Sequence, residues 1–348
     1  MILGAAGRDF HNFNVYFRGK ERYNVVGFTG AQIPGIADKK YPPELAGNLY
    51  PEGISVYAEE ALPRLIKELN VDFCVFSYSD ISYQHVMGLG TIINAAGSNY
   101  MMLSPKVAML KSKKLVIAVC AVRTGADKSQ SSRRIIELLM ERGLRVIAIR
   151  HPMPYGDLDA QRVQRFAKLE DLEKHKCTIE ETEEYGPHVV SGNVVYAGVG
   201  YQDILTAAEE DPKGCDVIVW NGGNNDFPFY NTDLMITVAA RQHGARELID
   251  PGPYTVGSIS ETLKNYPYIG TLLPAMGYGK HQLKDLETTV NKVDCDAVVI
   301  GTPINLSRII DIKKPNARAS YELREIGMPK LGDILSKFVK MHDLPVKK

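Results

Sequence analysis

The chain has 348 residues, more than one hydrophobic core usually serves, which points to two domains with one large α/β domain as the alternative. Its 41 Lys and Arg balance 41 Asp and Glu, so no charge excess marks it for nucleic acid. The longest apolar runs are strand-length and no charged-then-apolar segment opens the chain, so a cytoplasmic protein without a membrane partner is expected.

The first strand is expected in "MILGAAGRDF", running straight into a glycine turn. "YNVVGFTG", the helix-like "AEEALPRLIKEL", the strand "DFCVFSYSD", and a further helix and strand ending near "YMMLSP" complete a small Rossmann-like unit. The proline and lysines of "SPKVAMLKSKK", residues 104–114, mark a boundary, giving domains at 1–112 and 113–348. A second alternation follows. It comprises the strand "KKLVIAVCAV", helix "SSRRIIELLMERG", strand "RVIAIR", loop "HPMPYGDLD", helix "AQRVQRFAKLEDLEK", strand "NVVYAG", helix "YQDILTAAEE" and strand "CDVIVW". Strands and helices at this spacing predict a mostly parallel sheet covered on both faces. Five cysteines stand singly with no C-x-x-C, and are expected to be buried thiols.

In the second unit "AVRTGADKSQSSRR" sits where a phosphate-binding loop belongs, after a buried strand and before a helix whose amides point at an anion. The common G-x-x-x-x-G-K-[ST] pattern fails at Val122 and Asp127. A variant opened by a basic residue five before the lysine matches Arg123, Thr124, Gly125, Ala126, Lys128 and Ser129, and misses only at Asp127. A carboxylate about 4 Å from a phosphate oxygen costs on the order of 4 kcal/mol at an effective dielectric of 20. That is roughly a thousandfold in affinity, unless the side chain turns outward or binds the accompanying Mg²⁺. The plain alternative is an ordinary strand-to-helix turn with a solvated Lys128.

After "DVIVW", where a P-loop scheme expects a strand-terminal aspartate on the Mg²⁺ side, stands Asn221, with Asp226 five residues on as a substitute. A polar turn explains "GGNND" equally well. "NKVD", residues 291–294, resembles a guanine-reading motif but ends a helix instead of following a strand, and reads as coincidence. Arg150 and His151 leave the C-terminal end of a strand, the edge where open α/β sheets bind ligands, and are candidates for phosphate contact. In "CTIEETEEYGPH", Thr178 and Glu180 could lie near a metal, although a solvated acidic face is the favoured reading. Gly7, Arg8 and His11 in "GAAGRDFHNFN" suit an anionic ligand, with His11 as a packed turn residue the alternative.

"GAAGRDFHNFN", "YPPELAG", "SYSDIS", "CAVRTGA-KSQ", "RHPMPYGDL", "CTIEE", "GGNND", "LPAMGYG" and "VVIGTPI" occur in this order across nearly the whole chain. In this it resembles the cyclic 2,3-diphosphoglycerate synthetase family, whose members are often described as GTPases. The resemblance implies a cytosolic homodimer with a P-loop NTPase-like domain. In it ATP (or GTP) and Mg²⁺ drive closure of a phosphoanhydride within a small phosphorylated metabolite, 2,3-bisphosphoglycerate. It puts Arg123 and Lys128 in catalysis, and Thr124, Gly125, Ala126, Asp127, Lys128, Ser129 and Gln130 around the nucleotide. Ser129 and Asn221 fall on the metal side, and Gly7, Arg8, His11, Arg150 and His151 around the substrate. Asp127 replaces the family's usual glycine and Asn221 its usual aspartate. A family segment between the stretches matching "DLMITV" and "AARQHGARELIDPGPY" is missing, and the chain starts inside the first strand. These departures make weakened chemistry, or a noncatalytic or GTPase-like relative, the alternative expectation.

Overall fold

The computed structural model describes residues 1–5, 7–30, 39–79, 81–122, 128–151, 157–224, 226–238, 249–265, 273, 279–300, 306–318 and 328–345. The protein has an α/β fold. Among these residues no helix is long and apolar enough to cross a membrane. The chain forms two compact units, one of Met1–Asp171, His188–Ala240 and Glu325–Lys348, the other of Leu172–Pro187 and Arg241–Arg324.

The first unit holds two sheets. One is built from β1 (Ile2–Leu3), β2 (Phe28–Gly30), β3 (Lys40–Tyr41), β4 (Ile54–Ala58), β5 (Phe73–Phe76) and β6 (Asn99–Met102), in the order β3-β4-β2-β1-β5-β6. All neighbours are parallel except β3, which runs antiparallel on the edge. Setting β3 aside, the order is third, second, first, fourth, fifth, the dinucleotide-fold arrangement whose direction of winding reverses beside β1. The helix Tyr83–Ala96, which leads into β6, is capped by Ser82, whose hydroxyl accepts from His85 N at 3.3 Å. It ends at Gly97, where φ is 101°.

The second sheet contains β7 (Leu115–Ala121), β8 (Val146–Arg150), β9 (Gln164–Phe166), β10 (Val194–Ala197), β11 (Val217–Asn224) and β12 (Leu234–Val238), ordered β12-β7-β11-β8-β10-β9. Its central strands read as near-continuous apolar runs because both faces are covered. The sequence reads residues 160–174 as one helix, but the structure makes β9, an antiparallel edge, followed by a short helix Glu170–Lys174. Burial explains the difference. Gln164 and Phe166 face inward at period two while Arg165 between them pairs with Asp211 at 2.6 Å.

In the second unit β13 (Val298–Ile300) pairs with β14 (Asn316–Arg318), and Ile259, Leu286, Val290 and Ile310 form a small core. Asn291 of "NKVD" donates from Nδ2 to Asp311 O at 2.7 Å and accepts from Lys313 N at 2.9 Å, a structural clamp in keeping with coincidence. The acidic run also has a local purpose. Thr178 and Glu181 form a reciprocal capping box at the start of the helix Ile179–Val190, with Thr178 N donating to Glu181 Oε2 at 2.8 Å and Glu181 N to Thr178 Oγ1 at 3.2 Å.

Candidate functional site at two strand edges

β7 ends at Ala121, and the helix Lys128–Glu141 begins after Arg123, Thr124, Gly125, Ala126 and Asp127, which lie outside the described residues. Lys128, Ser129 and Gln130 are described and form the helix's first turn. Lys128 is buried, and its Nζ donates to the carbonyl of Gly222 on the neighbouring strand. The lysine expected to meet a phosphate is therefore held at the mouth of β11.

β11 lies between β7 and β8, in a register that sets Asn221 opposite Val119 on one side and Arg150 on the other. The sequence ends this strand at Trp220, whereas it continues through Asn224 with an irregularity after Asn221. Asn221 is thus a strand residue, not part of a polar turn. It is fully buried, and among the described residues neither Oδ1 nor Nδ2 has a hydrogen-bond partner. A buried polar group left unpaired costs about 1–3 kcal/mol, so a fold that keeps this amide keeps it for something. Arg150 closes β8 and His151 follows it, at the same edge.

The first sheet reaches this edge through the turn after β1. A Cβ on Gly7 would fall 2.5 Å from His151 Nε2 and closer to Cε1, so only glycine lets the imidazole lie there. Gly7 N donates to Asp9 Oδ1 at 3.0 Å, tying down the turn. Arg8 opens the helix Arg8–Asn12 and pairs through Nε with Asp226 Oδ1. Its Nη2 donates to Phe227 O at 2.5 Å, and its guanidinium lies 4.7 Å from the centre of the Phe229 ring. Burial pushes the Asp226 carboxyl up to about 6 although Arg8 pulls the other way. The substitute metal partner read from the sequence is therefore engaged with Arg8.

His11 stacks on Phe229 with centroids 4.2 Å apart and rings 7° from parallel. Its Nε2 lies 2.5 Å from Ala108 O, and since a carbonyl only accepts, Nε2 carries the proton. Burial drives its pKa down to about 3, leaving it uncharged at neutral pH. His11 is thus a packed residue, as the alternative reading has it, and it lies beside Arg8 in this cluster. The helix then widens into a π-helical turn, Phe13–Phe17, a distortion that recurs at functional sites.

Lys128, Asn221, Arg150, His151, Gly7, Arg8 and His11 therefore gather along one edge. Two further residues join them without having been marked by any motif: Phe229, on which Arg8 and His11 both pack, and Tyr201, whose ring lies 5.2 Å from that of His11. The aromatic cluster "FPFY" was the available signal. A helix-start lysine beside a strand edge fits a nucleotide's phosphates. The donor set for a cation is thinner. Among the described residues no group of three or more His, Cys, Asp or Glu could hold a metal ion, and a Mg²⁺ site here would draw on Ser129, the Asn221 amide, phosphate oxygens and water.

No protein-family model matches the chain. A protein of Thermococcus kodakarensis named Arginine synthetase ArcE is 45% identical to it over 435 residues, spanning 98% of this chain and 96% of that protein. Those 435 aligned positions exceed the 348 residues available, so the relative has at least 87 residues without a counterpart here, in line with an internally shortened chain. On an identity this high across almost its full length, the chain belongs to the family of Arginine synthetase ArcE, a cyclic 2,3-diphosphoglycerate-synthetase-like family.

Proposed function

We propose that the protein is a nucleotide-driven ligase that phosphorylates a small substrate at the Lys128 edge and forms arginine. The observation that carries this reading is the convergence of Lys128, Asn221, Arg150 and His151 on one strand edge, with Gly7 and Arg8 of the other sheet reaching it. The family relative's name supplies the product. ATP or GTP with Mg²⁺ would supply the phosphoryl group.

The chemistry follows from the product. Arginine differs from the ureido amino acid citrulline by a nitrogen in place of the urea oxygen. A ligase makes that exchange by moving the γ-phosphoryl group to the ureido oxygen. Ammonia then attacks the carbon, and the oxygen leaves as phosphate. One nucleoside triphosphate becomes a diphosphate and phosphate for each C–N bond formed. Lys128, released from Gly222, would neutralise charge on the transferred group, and the amides of its helix would hold the phosphate it leaves.

Closure of a phosphoanhydride in 2,3-bisphosphoglycerate is the second reading, favoured by the same meeting of Gly7, Arg8 and His151. Charge on the first sheet's side weighs against it: Arg8 already meets Asp226, and burial leaves His11 neutral. Purified protein with Mg²⁺ and ATP or GTP, given citrulline and ammonium or 2,3-bisphosphoglycerate, separates the two. Nucleotide-dependent arginine supports the first reading; a cyclic product with no arginine replaces it.

A further inference from the structure

A cavity of about 360 Å³ lies in the first unit beside this edge, at the small end of the range for small-molecule sites. Its wall includes Asn14, Arg18, Tyr41, Arg162, Tyr201 and Asp203, of which Asn14 and Tyr41 fall in the stretches "GAAGRDFHNFN" and "YPPELAG". Both arginines are seated over glycines. A Cβ on Gly47 would stand 3.3 Å from Arg18 Nε, and one on Gly200 would stand 3.0 Å from Arg162 Cγ. Gly47 gives the Arg18 guanidinium room that a side chain would fill, and Gly200 does the same for the stem of Arg162.

Arg162 Nε donates to Asp203 Oδ2 at 2.7 Å in a pair that is about half exposed, at 46% and 43%. Pairs so exposed contribute little to stability, so both groups remain available to a ligand. Arg18 has no carboxylate partner among the described residues' ion pairs. Asp203 lies in the first turn of the helix Tyr201–Glu209, whose N-cap, Gly200, offers no side chain to its amides. Unmet hydrogen-bonding capacity also gathers around this cavity. Among the described residues, Asn14 Oδ1, Tyr201 Oη and His11 Nδ1 are buried without partners, and each belongs to a residue of the wall. Groups of this kind are few in a native fold, and three at one cavity mark a polar site rather than a packing gap.

We propose that this cavity holds the head of a free α-amino acid, with the carboxylate on Arg18 and Arg162 and the ammonium on Asp203. Two guanidinium groups beside one carboxylate match a zwitterion better than a phosphate, which Asp203 would repel. His11 and Tyr201 line both this cavity and the phosphoryl-transfer edge, so the amino acid's side chain would run past them toward His151. That the amino acid is the arginine precursor rests on the function proposed above; the zwitterion site itself rests on the cavity.

Calorimetry without nucleotide tests it, using L-arginine, L-citrulline, L-ornithine and L-glutamate, with agmatine (no carboxylate) and Nα-acetyl-L-arginine (no ammonium) as controls. L-Arginine and L-citrulline should bind, and both controls should bind about tenfold to a hundredfold more weakly, as for loss of a charged hydrogen bond. Arg18→Ala should weaken L-arginine by a similar factor and abolish the discrimination against agmatine. Asp203→Asn should abolish the discrimination against Nα-acetyl-L-arginine. Arg18→Lys should recover part of the lost affinity, and thermal unfolding of each variant should match wild type. The site is overturned if agmatine equals arginine in the wild type, if neither variant changes any dissociation constant, or if no amino acid binds. Ornithine or glutamate binding alone, with the same variant losses, would keep the site and remove the arginine reading. Arginine formation with a KM for citrulline untouched by either variant would keep the reaction and remove the site.

Discussion

Arg8, at the start of the helix Arg8–Asn12, and Asp226, beyond the central strand of the second sheet, form an ion pair whose side chains are only 12% and 5% exposed. The pair ties the two sheets of the first unit together where the candidate residues meet. Breaking such a pair is costlier than never having formed it, because the remaining charge stays buried. Arg8→Ala should destabilise the protein by about 3–5 kcal/mol at alkaline pH.

The loss should shrink in acid. The folded pKa of Asp226, about 6, lies above the ordinary value of about 3.9, so the native state holds this proton more tightly. Its contribution to stability is full below about pH 4 and is lost as pH rises through about 6. Removing Arg8 moves that window upward. Urea unfolding at pH 5 and pH 8 is the check, and equal losses at both would mean that Asp226 is not the group left behind.

His11 works in the opposite sense. Burial depresses it to about 3, below an ordinary value near 6.5. Its contribution is full above about pH 6.5 and disappears as pH falls through about 3. His11→Phe keeps the stacking on Phe229 and removes the titrating ring, so the variant's stability should fall less steeply than wild type between pH 6 and pH 4. An unchanged acid slope would place the sensitivity elsewhere.

The parallel core was legible in the sequence, because "LVIAVCAV", "RVIAIR" and "DVIVW" are apolar on both faces and their spacing allows little besides crossovers. The antiparallel β9 was not, since "AQRVQRFAKLEDLEK" satisfies helical spacing as well as alternation, and the Arg165–Asp211 pair that decides between them spans distant segments. Arg150, His151 and Lys128 could be found because strand ends announce themselves. The union of Arg8 with Asp226 could not, because they lie 218 positions apart and a lone aspartate beyond a strand end has no periodicity to read.

Asn221 offers a direct separation of function from stability. Alanine there removes two buried polar atoms without partners and leaves only a small gap, so the protein should stay about as stable as wild type, the gap offsetting the relief of the unpaired amide. Nucleotide turnover should fall sharply in the same variant. A stability loss above 2 kcal/mol would mean that the amide is structural.

In the sequence Asp127 takes the place of a glycine in the phosphate-loop pattern. Asp127→Gly should tighten Mg-nucleotide binding, by at most about a thousandfold if the carboxylate faces the phosphate at an effective dielectric of 20. Titration of ATP and GTP against both proteins measures it. Equal dissociation constants would show that the aspartate turns away.

In the proposed reaction a phosphoryl group passes to the substrate's own oxygen before nitrogen enters. Citrulline carrying ¹⁸O in its ureido group, supplied with ATP, Mg²⁺ and ammonium, tests this by mass spectrometry of the phosphate released. One ¹⁸O per phosphate, one arginine per ADP, and a drop of about a hundredfold to a thousandfold in rate for Lys128→Ala are the expected results. Phosphate free of ¹⁸O while arginine accumulates, or ADP formed without any arginine, would contradict it.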